Sequence, residues 1–128
     1  MALDKITFNW DNSFNGTMHT PRGDIKVGKN DIQPYNLLLG ALGSCFYATL
    51  VSIAEKMRLT FNKATLELNG NKREESPTTL ENVKMELRVW GVDNQSKFDK
   101  AVILASENCS IHETIKKVAK IEVITIYE

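Results

Sequence analysis

The sequence predicts an α+β domain organised around one long helix, and three features of the chain support this fold class. The first is an uncharged stretch of 18 residues, Leu37 to Ala54, which is too long for a strand and contains no proline. The second is a set of short segments on both sides of it, in which apolar and polar residues alternate as in half-buried strands. The third is a change to helical spacing after Ser96, followed by a β-branched segment at the end of the chain.

Three short strands are predicted before the helix. Ile6, Phe8 and Trp10 alternate with polar residues, which indicates a strand with one buried face. Turn-forming residues at 11–13 and at 21–24 separate it from two further strands. These strands are predicted at Phe14 to Thr20 and at Ile25 to Val27.

The central helix is predicted from Pro34 to Leu59. Asp31 can accept hydrogen bonds at its start, and Pro34 suits the first turn, where the missing N–H is no loss. Charged residues at 55–58 mark the exit of the chain into water. We therefore expect a single helix that is buried along its uncharged centre.

A membrane span is the alternative explanation of the same stretch, because its length approaches that of a bilayer-crossing helix. Glycine and hydroxyl residues make it only weakly hydrophobic for lipid. In addition, Gly40, Ser44 and Ala48 form a ridge of small residues at a spacing of four. Such a ridge suits a helix that packs closely against a sheet or against a second copy of itself.

Two long strands and two helices are predicted after the central helix. Alternation at Phe61 to Gly70 and at Leu80 to Val92 indicates strands that should pair antiparallel. Ser96 is a plausible N-cap for the next helix. The inward face of that helix is predicted to carry Phe98, Val102, Ala105 and Cys109.

The second cysteine is followed by a pattern that starts another helix. Ser110 and Glu113 fit the S-x-x-E capping box, which would place Cys109 at or just before a helix N-terminus. The run Thr114 to Ala119 would complete this short helix, and Ile121 to Tyr127 would form the last strand. No linker or repeat interrupts the pattern, so we expect one domain over residues 1–128.

Composition narrows the possible functions. Lys and Arg together number 16, as do Asp and Glu, and the charges are interspersed, so nothing favours a nucleic-acid partner or an acidic membrane surface. The first residues carry charges at Asp4 and Lys5 and lack an apolar core, so we expect no secretory signal and a cytoplasmic location.

Common phosphate, dinucleotide and metal motifs do not occur, and His19 and His112 alone do not support a zinc site or a histidine-based triad. The remaining candidates for chemistry are Cys45 and Cys109. Both fall on apolar helix faces, so they are either buried packing residues or reactive thiols beside a small pocket.

Cys45 needs a compensating group if it is to react, because burial raises the pKa of a thiol. It lies about three turns into the predicted helix, beyond the range of the helix dipole. Arg22 is the best-placed cation by chain position, although a turn arginine is also commonly solvated.

Cys109 differs, because a helix N-terminus favours a thiolate. It could be the nucleophile or the thiol that resolves an oxidised partner, with His112 close enough in sequence to pair with it. Aromatic residues could wall an apolar pocket, although most residues in such positions belong to the core. These are Trp10, Phe46, Tyr47 and Phe98.

Two spaced motifs resemble the family of osmotically inducible protein C (OsmC) and the organic hydroperoxide resistance proteins (Ohr). In that family the pattern P-x-x-L-L-x-x-x-x-x-x-C places a cysteine in a long central helix, and C-x-x-x-x-T supplies a second. Pro34, Leu37, Leu38 and Cys45 match the first pattern. Cys109 and Thr114 match the second, and the order of elements is similar along nearly the whole chain.

The resemblance implies an OsmC-like fold, with antiparallel sheets wrapped around the central helix in an intertwined homodimer. It also implies a cofactor-free thiol peroxidase, in which Cys45 attacks an organic hydroperoxide and Cys109 then forms a disulfide that an external dithiol reduces. Arg22 would hold the Cys45 thiolate. The balanced charges add the expectation that neither a nucleic acid nor a membrane is a partner.

The sequence departs from this family pattern at two positions. Active members pair an arginine from the N-terminal strands with a glutamate directly after the helix-starting proline, where this chain has Tyr35. Ser110 stands where a proline usually follows the second cysteine. Two other functions therefore remain open, namely a redox-sensing or small-ligand-binding dimer without catalysis, and a protein in which both cysteines only pack the core.

Overall fold

A computed structural model describes all residues from Met1 to Glu128, with six strands and three helices in the order β1-β2-β3-α1-β4-β5-α2-α3-β6. The α+β fold class predicted from the sequence is confirmed. The chain divides into two compact units, Met1–Gly40 and Ala41–Glu128, and helix α1 runs across the division. The expected single domain over residues 1–128 stays a prediction.

The first unit contains an antiparallel sheet of three strands in the order β1-β2-β3. The strands are β1 (Thr7–Trp10), β2 (Asn15–Thr20) and β3 (Gly23–Gly28). Phe8 pairs with Met18, which pairs with Ile25, so one face of the sheet carries an apolar row. Phe8 and Ile25 are nevertheless about two-fifths exposed in the single chain (41% and 40%).

Gly16 is required by the packing of this sheet. It pairs with Trp10 across β1 and β2, and a Cβ atom at position 16 would lie 2.5 Å from the Trp10 ring and 2.4 Å from the Asn9 carbonyl oxygen. The Trp10 ring can therefore lie over the strand and stack on Phe8, with ring centroids 5.2 Å apart.

Helix α1 extends from Pro34 to Lys56 and is amphipathic in the single chain. Leu42, Phe46 and Leu50, spaced four apart, are completely buried. On the same side, Gly43 packs beneath Leu66 and Leu68, and a Cβ at this glycine would lie 3.0 Å from Leu68 Cδ1. The expectation that the uncharged centre of the helix is buried is therefore correct for one side of it and wrong for the other side in the single chain.

The ridge of small residues lies on the opposite side of α1, where Gly40, Ser44 and Ala48 are exposed. By length and composition this helix could cross a membrane, but the core helix of a soluble protein passes the same test.

The hydrogen bond at the start of α1 also differs from the prediction. Asn36, and not Asp31, provides the side-chain acceptor, because its Oδ1 receives the Gln33 N–H at 2.9 Å.

The second unit contains a mixed sheet in the order β4-β5-β6. β4 (Lys63–Lys72) and β5 (Leu80–Trp90) pair antiparallel as predicted, whereas β6 (Lys120–Tyr127) pairs parallel to β5. The prediction of antiparallel sheets is therefore wrong for the pairing of β6 with β5. The reason is the connection, because the helices between β5 and β6 form the long crossover that a parallel pair needs. The alternating residues of β5 are buried, namely Val83, Met85, Leu87 and Val89.

Helix α2 runs from Gln95 to Asn108 and α3 from Ser110 to Lys116. Asn94 caps α2, because its side chain accepts the Lys97 N–H at 3.0 Å, so the predicted cap at Ser96 was wrong. The predicted inward face of α2 is confirmed by burial. Its members are Phe98, Val102, Ala105 and Cys109.

Candidate active site

The site consists of two thiols from distant parts of the chain and the first residues of α3. Cys45 lies about three turns after the start of α1 and is half-buried, whereas Cys109 joins α2 to α3 and has no exposed surface. The two side chains interact directly, since each thiol shifts the pKa of the other. The structure therefore brings together the two cysteines singled out from the sequence.

The surroundings of Cys45 favour its ionised form. Burial raises the pKa of this thiol, but four polar interactions together outweigh burial and lower the pKa below its ordinary value. In decreasing order they come from the backbone N–H of Ile111, the Cys109 thiol, the Ser110 hydroxyl and the Ser110 N–H. The Ser110 Oγ atom lies 4.0 Å from Cys45 Sγ.

The surroundings of Cys109 favour the protonated form. Burial raises its pKa, the N–H of His112 opposes this, and the nearby Cys45 thiolate raises it further. The helix start at Cys109 had suggested a stabilised thiolate, and complete burial explains why the structure differs. Of the two thiols, Cys45 is therefore the more acidic.

The backbone around Cys109 explains how α3 presents its N–H groups. Cys109 is extended (φ −76°, ψ 115°) and its sulfur caps α3 by accepting the His112 N–H at 3.4 Å. The predicted capping box was therefore one residue late, because Cys109 is the cap and Ser110 is the first helical residue. Thr114 Oγ1 donates to the Ser110 carbonyl at 2.9 Å and fastens this first turn.

Two residues of the site, Ser110 and Ile111, were missed by sequence reasoning as partners of Cys45. The signal was present in the start of α3, since residues in the first turn of a helix have N–H groups without partners in the helix. The prediction that Ser110 is the cap left its N–H outside the first turn of the helix. With the cap at Cys109, the N–H groups of both residues are available to the Cys45 sulfur.

Arg22 lies in the turn between β2 and β3, and its side chain is 87% exposed. Its Nε atom pairs with Asp4 Oδ2 at 3.3 Å, and its backbone N–H donates to Thr20 Oγ1 at 3.0 Å. The predicted role of Arg22 at the Cys45 thiolate thus stays a prediction. Tyr35 is half-buried in the first turn of α1.

The ring of His112 is not a partner of Cys109; only the backbone N–H of this residue contacts the sulfur. Its Nδ1 atom is buried without a hydrogen-bond partner, and burial, together with the charge of Lys116, lowers the pKa of the ring. No group of three or more His, Cys, Asp or Glu side chains that could hold a metal ion occurs in the chain.

The aromatic residues considered for a pocket wall separate into two groups. Phe46 and Phe98 have no exposed surface and belong to the core, so the pocket wall was the wrong interpretation for them. Tyr47 is half-buried, and Trp10 stacks on Phe8 in the first sheet.

An open groove of about 570 Å³ runs beside the second half of α1. Ile53, Met57 and Leu104 give it an apolar lining, and Lys56 lies at its edge. Thr49 also lines the groove, and its hydroxyl donates to the Cys45 carbonyl at 2.8 Å, which links the groove to the helix turn that carries Cys45.

Comparison with solved structures places the whole chain in one fold. A hypothetical protein from Aquifex aeolicus superposes with a TM-score of 0.87 at 24% identity, over 100% of this chain and 99% of that one. An OsmC-like protein from Mycoplasma pneumoniae gives 0.87 at 20% identity, over 98% and 97% of the two chains. An organic hydroperoxide resistance protein, OsmC, from Legionella pneumophila gives 0.76 at 15% identity, over 98% of each.

No curated protein sequence matches this chain. The family model described as "OsmC-like protein" matches residues 27–124, which include α1, both cysteines and all of α3. This match covers most of the chain and confirms the resemblance inferred from the two cysteine motifs. The chain therefore belongs to the family of OsmC-like proteins.

Proposed function

We propose that this protein is a cytoplasmic thiol peroxidase that reduces organic hydroperoxides, with Cys45 as the attacking thiol and Cys109 as the resolving thiol. The observation that carries the proposal is the contrast between the two thiols. The half-buried Cys45 has a lowered pKa, and it lies beside the fully buried Cys109, whose pKa is raised. A peroxidase needs such a pair, namely one ionised sulfur and one protonated sulfur in reserve.

In the first step, the Cys45 thiolate attacks the distal oxygen of the hydroperoxide, and the O–O bond breaks. A sulfur–oxygen bond forms, so that Cys45 becomes a sulfenic acid and the substrate leaves as an alkoxide. The alkoxide needs one proton to become the alcohol. The Cys109 thiol is the nearby proton source, and losing this proton converts Cys109 to the thiolate needed next.

In the second step, the Cys109 thiolate attacks the Cys45 sulfur and displaces hydroxide, which forms a disulfide. The hydroxide takes one proton from the solvent and becomes water. Two thiols have then lost two electrons, and the peroxide has become an alcohol and water. An external dithiol restores both cysteines through a mixed disulfide. The cycle requires no cofactor.

The structural relatives support a role in peroxide resistance. The Legionella pneumophila protein and a Bacillus subtilis protein, OhrB, are named as organic hydroperoxide resistance proteins. Both are only 15% identical to this chain, so their similarity supports the shared fold, and the activity of this chain needs its own test.

The reduced protein is expected to consume cumene hydroperoxide with dithiothreitol as reductant, and one equivalent of peroxide without reductant should produce one Cys45–Cys109 disulfide. Peroxide consumption and mass spectrometry of non-reduced peptides measure the two results. No consumption above the protein-free rate would contradict the proposal. A redox-sensing dimer would then be favoured if the disulfide still forms, and a ligand-binding dimer if it does not.

We also propose that Arg22 provides a positive charge for the thiolate, as the family pattern implies, in exchange for its present partner Asp4. Arg22→Gln is expected to lower the rate of peroxide attack about tenfold, because a cation close to a thiol lowers its pKa by about 1–3 units. Stopped-flow measurement of the first turnover tests this. Lys26→Gln removes an exposed charge from β3 and is the matched control; equal rates in both variants would exclude Arg22.

A homodimer is the third part of the proposal. The exposed ridge of α1 at Gly40, Ser44 and Ala48 allows a second helix to approach closely, and the apolar face of the first sheet lacks a cover in the single chain. Sedimentation equilibrium is expected to give twice the mass of one chain. Ala48→Arg should yield a monomer, because a long charged side chain would stand in the ridge. A monomeric wild type would contradict this assembly.

A further inference from the structure

The hydroxyl of Ser110 has one hydrogen-bond partner in the structure, the Cys45 sulfur at 4.0 Å. Other serine hydroxyls near the site are engaged by the backbone of their own helix. Ser44 donates to the Ala41 carbonyl, and Ser106 donates to the Val102 carbonyl, each at 3.2 Å. Ser110 is therefore free to serve Cys45, and its backbone is held in the first turn of α3 by Thr114.

We propose that Ser110 is a catalytic residue of this protein, whose hydroxyl donates a hydrogen bond to the Cys45 sulfur and stabilises the thiolate that attacks peroxide. The inference rests on the proposed function and adds a residue to it. A thiolate has no proton and can only accept a hydrogen bond, so the donor in the reactive state must be the hydroxyl. A bond made to the charged form favours ionisation.

The groups that surround Cys45 in the second unit support this role of Ser110. No lysine or arginine is among the groups that shift the pKa of Cys45, so neutral donors alone oppose the cost of burial. Among these donors, Ile111 contributes a backbone N–H and not a side-chain group, and Cys109 is itself oxidised in the cycle. Among the groups named here, Ser110 is thus the side chain that can stabilise the thiolate without itself being oxidised.

The test is the pH dependence of Cys45 alkylation in the reduced protein, measured with iodoacetamide and mass spectrometry of the Cys45 peptide. Ser110→Ala is expected to move the midpoint upward by about one pH unit. At a pH below both midpoints, the alkylation rate should fall about tenfold, since one pKa unit corresponds to a tenfold change in the ionised fraction. At a pH above both midpoints, the two proteins should react at the same rate.

Two further variants separate the hydroxyl from general structural effects. Ser110→Thr keeps a hydroxyl at the start of α3 and should retain the wild-type midpoint. Ser44→Ala removes a hydroxyl next to Cys45 in sequence that already donates to Ala41, and should leave the midpoint unchanged. It also keeps a small residue in the ridge of α1.

An unchanged midpoint in Ser110→Ala would overturn the inference, as would an equal loss of rate at every pH, which would indicate only a structural role. Peroxide turnover by the wild type is measured separately. A shifted midpoint without any turnover would overturn the proposed function while retaining the hydrogen bond. Turnover with an unshifted midpoint would overturn the role of Ser110 alone.

Discussion

Cys45→Ser is expected to abolish dithiol-dependent reduction of cumene hydroperoxide, with a loss of about a thousandfold or more. The thiolate is the nucleophile, and a serine hydroxyl in the same place stays protonated and cannot form the sulfenic acid. The variant should fold normally, because serine is close to cysteine in size and Cys45 is only half-buried. Circular dichroism checks this. Turnover at the wild-type rate would remove Cys45 from the mechanism.

Cys109→Ser should behave differently, because the first step remains possible. We expect one rapid turnover, followed by accumulation of Cys45 sulfenic acid, which dimedone traps for mass spectrometry. Serine is a suitable replacement here, since Cys109 caps α3 and serine is a favoured N-cap residue. Steady turnover at the wild-type rate, with no trapped sulfenic acid, would show that external thiols resolve Cys45 directly.

The strands and helices that could be predicted from the sequence are those with one buried side, because their apolar residues then recur at a regular spacing. In β5, Val83 and Leu87 follow the two-residue period of a half-buried strand, and both are buried. In α2, Phe98 and Cys109 follow the helical period with the same result. The apolar side must face the core wherever these elements dock, so the period is recorded in the sequence.

The helix caps could be placed only to within one or two residues. Asn94 replaces Ser96 as the cap of α2, and Cys109 replaces Ser110 as the cap of α3. Neighbouring polar residues compete for the same N–H groups, and the outcome depends on which of them is extended. The sequence carries little information on that choice, because the candidate side chains are chemically similar.

The arrangement of distant elements relative to one another also could not be predicted from the sequence. The parallel pairing of β6 with β5 depends on the path of the whole crossover, and local alternation is the same for either strand direction. Between Leu37 and Ala54 the exposed side of α1 is uncharged, so it has the composition of a buried surface although it is exposed in the single chain. A surface of this kind is consistent with the proposed second copy.

In the site, thiol chemistry and the family resemblance identified the two cysteines, and the surroundings of the two sulfurs favour ionisation of Cys45 over that of Cys109. The sequence placed both on apolar faces and could not distinguish half burial at Cys45 from complete burial at Cys109. It indicated N–H groups without partners at the start of α3, but not that Ser110 and Ile111 contact Cys45 in a distant helix. These contacts result from docking of α3 and not from any local pattern.

Phe98→Ala is expected to lower the free energy of unfolding by about 3–5 kcal/mol, the usual cost of truncating a buried phenylalanine. Phe98 has no exposed surface and makes edge-to-face contacts with Phe61 and Tyr127, with ring centroids 5.6 and 6.0 Å away. Tyr127 is fixed by its own bond to the Gln95 carbonyl at 3.0 Å, so the cavity cannot easily collapse. Urea denaturation at one fixed protein concentration measures the change.

Phe61→Ala is the matched control, because Phe61 is half-buried and belongs to the same aromatic cluster. Phe61→Ala should lower the free energy of unfolding clearly less than Phe98→Ala does. Equal decreases would show that the aromatic cluster, and not the buried position, determines stability. The consequence reaches the site, since Phe98 lies on the buried face of α2 and the buried Cys109 directly follows that helix. Loosening that face should expose the resolving thiol, so Cys109 in Phe98→Ala should react with iodoacetamide faster than in Phe61→Ala.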